Sequence, residues 1–300
     1  MLTSDQNRKI NEIVEEFKEA ADFYRMEYSE DLMGMFRDFG CMLLLKCKVD
    51  TEGKADLERL LEGRHKLKGT VKRQLMTVSE ELAQLWEPGE QDGSGDTGEY
   101  EGSQNVWEMF QTALEEIFHF CLYSKGGKNR YLLPEETAKP LLRLLTFPEG
   151  MMAGNEGLVV LDTQCGAGSA LMAASRYLKN LRLMGYEKDE EMWAAAVIMS
   201  QLSGLEMELH LEDGARADLY ESCDLVISNP VYGTDTIKDE ELIDQLPGEL
   251  KTVRGRYHME LIRSMQALNF DGKAMLIVPN SFLFANRTES MKVRKWLLQS

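Results

Sequence analysis

The sequence predicts an α/β fold: a doubly wound parallel sheet preceded by an all-α region. Three observations predict it. Before residue 88, apolar residues recur at helical spacing and almost nothing alternates with period two. From Leu158 onward, short apolar runs alternate with helical patterns. Between the two regions lies an acidic stretch, EPGEQDGSGDTGEYEGSQ, too poor in apolar residues to bury a core.

The elements follow in order. Ile10, Ile13, Val14, Phe17, Ala20 and Ala21 mark the first helix. A second centres on Met33, Met35, Phe36, Phe39, Met42 and Leu43, and a third runs from Lys66 to Trp86. The predicted domains are therefore a helical region 1–88, a flexible acidic linker 89–104 and a third segment 105–300. The last opens with an amphipathic helix from Asn105 to about Tyr123. Leu158–Leu161 reads as a buried strand and Ala170–Asn180 as a helix. Leu181–Tyr186, Glu208–Leu211, Asp224–Ser228 and Ala274–Val278 read as further strands, with a helix over Glu190–Leu202. The charged run from Lys238 to Arg256 lacks strong periodicity and is expected to be a mobile loop over a pocket.

Composition narrows the function. The net charge of −17 opposes unaided binding to a phosphate backbone, so a nucleic-acid substrate would require a local basic patch or a cationic partner. The first residues are charged and polar, unlike a signal peptide, and no apolar run approaches the roughly 18 residues of a membrane span. Five cysteines without CxxC spacing and four scattered histidines suggest neither a disulfide framework nor a metal site. A cytoplasmic location is expected.

In doubly wound sheets, ligands bind off the carboxyl ends of the strands. The first strand ends in Asp162-Thr163-Gln164-Cys165-Gly166-Ala167-Gly168. This is not the dinucleotide fingerprint, because Leu171 stands where the third glycine belongs, and no Lys-Ser or Lys-Thr follows as in a P-loop. An Asp before two closely spaced glycines suits a ligand with an amine and no pyrophosphate. The second strand ends at Glu187, placed to hold a ribose diol, and the third leads to Asp213, an acceptor for an exocyclic amine. The fourth ends in SNPVYG, residues 228–233, with Asn229, Pro230 and Tyr232 at its tip.

This set resembles the class I S-adenosylmethionine-dependent methyltransferases. Asn-Pro-Val-Tyr is similar to the (Asn/Asp/Ser)-Pro-Pro-(Tyr/Phe) signature of the amino-methyltransferases. Residues from about 105 to 300 look like the modification subunit of type I restriction-modification systems, an N6-adenine DNA methyltransferase. The segments GKNRYLLPEETAKPLLRLL, VVLDTQCGAGSALMAA and GKAMLIVPNSFLFANRTESMKVRKWLL carry that likeness.

The resemblance implies a Rossmann-like sheet and S-adenosylmethionine as cofactor. Asp162, Cys165, Gly166 and Gly168 would line its methionine end, Glu187 its ribose and Asp213 its adenine, with Leu132, Pro134 and Thr137 flanking. Asn229 and Pro230 would grip the target amine and Tyr232 would stack on the base. The implied partner is DNA, reached through a separate specificity subunit, in a hetero- or homo-oligomer.

The chain departs from the family pattern at named positions. Val231 replaces the second Pro, a change worth about 0.4–1 kcal/mol of preorganisation. Leu132 or Leu133 stands where the family has Thr before Pro134. Two further strands usual in such sheets are not evident before Ser300. Two alternative readings are an amino-methyltransferase acting on RNA or a protein glutamine, and a catalytically weak scaffold on the same fold.

Overall fold

The computed structural model describes residues 2–49, 59–60, 67–86, 101–124, 132–133, 135–145, 157–219, 223–230 and 236–299. The chain divides into two compact units, Met1–Lys128 with Val197–Leu205, and Asn129–Ala196 with Glu206–Ser300.

The first unit is built from amphipathic helices. Helix α1, Ser4–Glu27, starts in a capping box: Gln6 N donates to Thr3 Oγ1 at 3.3 Å and Thr3 N to Gln6 Oε1 at 2.8 Å. Its buried stripe is the one read from the sequence, Ile10 to Ala21, extended by Tyr24. Helix α2, Met33–Lys46, is buried on most of its surface, and Phe39 meets Phe17 edge-on at 5.0 Å. Helix α3, Gly69–Ala83, and helix α4, Glu101–Leu122, complete the packing. Helix α4 starts at Glu101, within the 89–104 segment expected to be a linker. Residues 89–100 of that segment lie outside the described residues. No helix among the described residues is long and apolar enough to cross a membrane.

The second unit is the expected parallel sheet. Helix α5, Glu135–Leu144, precedes strand β1, Leu158–Asp162. Then come helix α6 (Ser169–Tyr177), strand β2 (Leu181–Glu187) and helix α7 (Glu190–Leu202), whose last residues belong to the first unit. Strands β3 (Met207–Leu211) and β4 (Cys223–Ser228) follow. The order is β3-β2-β1-β4-β5, where β5 is Leu268–Leu276, and every pairing is parallel. β1 therefore lies between β2 and β4, where the chain order reverses, and such a switch point opens a crevice above the strand ends. Most of β1 and β4 is buried, which explains the apolar runs at 158–161 and 225–227. Asp224 ties three strands together: Oδ2 accepts from Val159 N at 2.9 Å and Oδ1 from Asn269 Nδ2 at 3.0 Å.

Three expectations are corrected. β5 begins six residues before Ala274, because Asp271 adopts φ 66° and lets an Asp-Gly pair sit inside a strand instead of ending it. α6 stops at Tyr177 rather than Asn180, where Leu178 turns extended and Asn180 takes φ 54°. The segment from Lys238 to Arg256 is no free loop. It holds helix α8, Glu240–Asp244, capped by Asp239, and a single 3₁₀ turn, Gly248–Leu250. Leu242, Ile243, Leu246, Leu250 and Val253 are buried with Tyr257 and Phe282. Pro247-Gly248 breaks their spacing, so no helical period was visible in the sequence.

Helix α9, Arg256–Gln266, locks the connection between β3 and β4. Arg263, 7 % exposed, donates from Nε to Ala215 O at 3.1 Å and from Nη2 to Ala217 O at 2.7 Å. Arg263→Met leaves both carbonyls without these donors. It should cost about 2–3 kcal/mol, lowering the urea midpoint with the slope unchanged. An unchanged midpoint would show that these bonds do not hold the connection.

Candidate functional site

The β1 tip turns abruptly into α6, and glycine makes the turn feasible. Gly166 and Gly168 have φ of +54° and +80°, left-handed values that cost other residues strain. Cys165 N donates to Tyr186 O at 2.9 Å and Gly168 N to Cys165 O at 2.8 Å, closing the loop against β2. The Cys165 side chain packs beneath the loop, so close to Gly185 that a Cβ there would lie 2.9 Å from Sγ. Burial, with the neighbouring Asp162 and Glu187 charges, pushes this thiol well above its ordinary pKa. Cys165 thus contributes backbone and packing, not a reactive thiolate.

Asp162 is 2 % exposed, and its Oδ1 accepts from Gln164 N at 3.0 Å. Burial raises its pKa to about 7, against the Gln164 hydrogen bond; the Glu187 charge adds to the rise and the Ser228 hydroxyl opposes it. Glu187, at the β2 tip, clamps the loop: Oε2 accepts from Gly166 N at 3.0 Å and Oε1 from Asp189 N at 2.7 Å. Burial raises its pKa too, despite these bonds. Among the described residues neither carboxylate forms an ion pair. A buried and a half-buried acid beside a glycine turn, with no ion-paired cation among the described residues, favour a positively charged guest.

At the β3 tip, Asp213 lies in a cleft of about 440 Å³, lined also by Arg216, Thr236, Ile237, Lys238 and Arg256. Arg256 Nη2 donates to Asp213 Oδ1 at 2.7 Å and Oδ2 at 2.8 Å, and Ala215 N donates to Oδ1 at 3.2 Å. Burial alone would raise the Asp213 pKa, but the bonding and charge of Arg256 outweigh it and hold the carboxyl below its ordinary value. Arg256 Nε pairs with Glu260 Oε1 at 2.7 Å, one turn along α9, and Glu260 is 2 % exposed.

The β4 tip carries Asn229, half-buried, and Pro230, buried. The β1–β4 pairing of Leu161 with Val226 sets this tip beside Asp162, whose pKa the Ser228 hydroxyl lowers. No hydrogen bond among the described residues engages the Asn229 side chain. Tyr232 and Val231 lie outside the described residues, as does Pro134. Leu132 is half-buried, and the adjacent Leu133 N donates to Ser169 Oγ at 3.0 Å, tying this segment to the start of α6. Thr137 is exposed on α5.

The structure thus joins Asp162, Cys165, Gly166 and Glu187 directly, with Gly168 in the same turn, and sets Asn229 and Pro230 on the neighbouring tip. Sequence reasoning missed Ser169, Arg256 and Glu260. Only the Arg256–Glu260 spacing of one helical turn was a visible signal.

The sequence profile of the family described as N-6 DNA Methylase matches residues 110–300. No curated protein matches the chain. Among solved structures, the chain resembles a protein from Listeria monocytogenes provisionally assigned as a class I S-adenosylmethionine-dependent methyltransferase. The two share 16% identity with a TM-score of 0.66, over 98% of this chain and 80% of that one. It also resembles the type I restriction-modification system methyltransferase subunit from Streptococcus thermophilus, at 16% identity and a TM-score of 0.58, over 97% of this chain and 79% of that one. Both likenesses concern the fold. With the family profile covering more than half of its length, the chain belongs to the N-6 DNA Methylase family.

Proposed function

We propose that this chain transfers a methyl group from S-adenosylmethionine to the N6 amine of adenine in DNA, as a modification subunit working with a separate DNA-reading partner. The observation that carries the reading is the pair of acids, buried Asp162 and half-buried Glu187, around the Gly166–Gly168 turn, neither ion-paired among the described residues. A ligand with an ammonium and a sulfonium would relieve the cost of that burial, so the residues fit the cofactor.

Asp162 and the loop backbone from Cys165 to Gly168 would hold its methionine end, Glu187 its ribose hydroxyls and Asp213 its adenine amine. Residues Leu132, Pro134 and Thr137 would flank the same site. When bound, S-adenosylmethionine supplies an electrophilic methyl on a positive sulfur.

Asn229 would accept one N–H of the target amine through its side-chain carbonyl, and Pro230 the other through its main-chain carbonyl. Two acceptors so placed favour a pyramidal nitrogen, whose lone pair is no longer delocalised into the ring. The same fixed dipoles stabilise the positive charge that develops on that nitrogen. Tyr232 would stack on the extruded base, and taking an adenine out of a duplex costs roughly a few kcal/mol. The net charge of −17 favours a partner that supplies the cationic surface. The likeness to a restriction-modification methyltransferase subunit supports the same division of labour.

Two outcomes are expected. The first concerns pH. A folded-state pKa of about 7 for Asp162, above its ordinary 3.8, means that the ligand-free fold holds this proton more tightly than the unfolded chain does. Stability from this group is full at acid pH and is lost as pH rises towards about 7. The cationic cofactor needs the ionised form, so its affinity should rise by about tenfold from pH 6 to pH 8. Calorimetry would measure this, and Asp162→Asn should bind weakly with a shallower profile, to which only Glu187 would still contribute. A steep profile retained in Asp162→Asn would remove Asp162 from the site.

The second concerns the acceptor. Asn229→Ala should lower N6-methyladenine formation by about 100-fold or more, read by mass spectrometry of digested DNA, with cofactor affinity changed less than about twofold. Methyl label appearing in RNA or in protein glutamine, with none in DNA, would overturn the DNA assignment.

A further inference from the structure

A guanidinium is clamped against the carboxylate that would face the cofactor's adenine. Arg256 is the first residue of α9, where a cation opposes the helix dipole and caps nothing. Its placement is instead explained by two carboxylates, Asp213 on the β3 tip and Glu260 one turn along. The start of α9 is itself held: Glu289 accepts from Arg254 N at 2.9 Å and from Gly255 N at 3.1 Å. The arginine is therefore anchored at its backbone, at Nε and at Nη2.

The hydrogen-bonding capacity of Asp213 then becomes informative. A carboxylate offers about four acceptor positions. Arg256 Nη2 takes one on each oxygen and Ala215 N takes a second on Oδ1. Among the described residues one position remains, on Oδ2, and Asp213 lines the open cleft. We propose that Arg256 is a positioning residue: it holds Asp213 rigid, so that Oδ2 accepts one N–H of the exocyclic amine of a bound adenosine ligand. This rests on the cofactor reading of Asp213 given above. Selectivity for adenosine over a purine lacking the amine would then depend on a residue that acts through Asp213.

Calorimetry on the full chain, with S-adenosylhomocysteine and its analogue lacking the 6-amino group, tests this. Arg256→Met should weaken S-adenosylhomocysteine by about tenfold and the amine-free analogue by less than about twofold. Asp213→Asn should show the same pattern, and the double variant should lose no more than either single one. Arg256→Lys, which keeps the charge without the fork, should recover part of the loss.

Equal weakening of both ligands by Arg256→Met would reduce Arg256 to a structural role and overturn the proposal. So would an unaffected Arg256→Met beside a weakened Asp213→Asn, which leaves the cofactor reading intact. An unaffected Asp213→Asn would instead remove Asp213 from the adenine site, and the proposal with it. Should Arg256→Met fail to fold by circular dichroism, Glu260→Gln frees Nε alone. It must then give a smaller loss confined to the amine-bearing ligand, and a loss shared by both ligands would overturn the proposal.

Discussion

Everything in the candidate site depends on the parallel pairing of β1 between β2 and β4. The pairing of Asp162 with Gly185, and of Leu161 with both Met184 and Val226, ends three strands at nearly one level. The connections that leave those ends cannot return along the same face and must diverge, which opens the crevice. The chemistry-bearing residues are then the ones that happen to follow each strand. A one-residue slip of β1 would turn Asp162 to the other face of the sheet.

A second constraint is electrostatic. The strand tips concentrate negative charge, and they treat it in two ways. At the β1 and β2 tips backbone N–H groups hold Asp162 and Glu187, and burial raises both pKa values. At the β3 tip Asp213 has a full cationic partner and its pKa falls. The first arrangement suits a cationic ligand group, because binding relieves the desolvation penalty. The second suits a neutral donor, because the charge is already compensated and, among the described residues, one acceptor position is left. A ligand positive at one end and carrying a neutral aromatic amine at the other matches both.

The segment beyond β4 shows where local pattern misleads. Lys238 to Arg256 is charged and lacks one period, yet Leu242, Ile243, Leu246, Leu250 and Val253 share a core with Phe282 and Val293. Its shape comes from capping by Asp239, from the Pro247-Gly248 break and from the Thr236–Gly255 bridge. The result is a fixed wall beside Asp213. β5 gives the converse case, in which the expected strand began at Ala274 and the sheet took in Asp271-Gly272 ahead of it as an irregularity.

The sequence by itself determined the fold class, the positions of the first four strands and the identity of the tip residues. Apolar runs, glycines and the residues that end a strand are local properties, encoded within a few positions. That is why Asp162, Gly166, Gly168, Glu187 and Asn229 were legible from the residue pattern alone, and why the family resemblance drawn from them agrees with the matched profile. Only the tertiary structure decided who holds these residues. Ser169 meets Leu133 across 36 positions and Arg256 meets Asp213 across 43, contacts that no local pattern encodes. The charge state of each acid followed from the same source. Burial and partners set a pKa, and both exist only once the chain has folded.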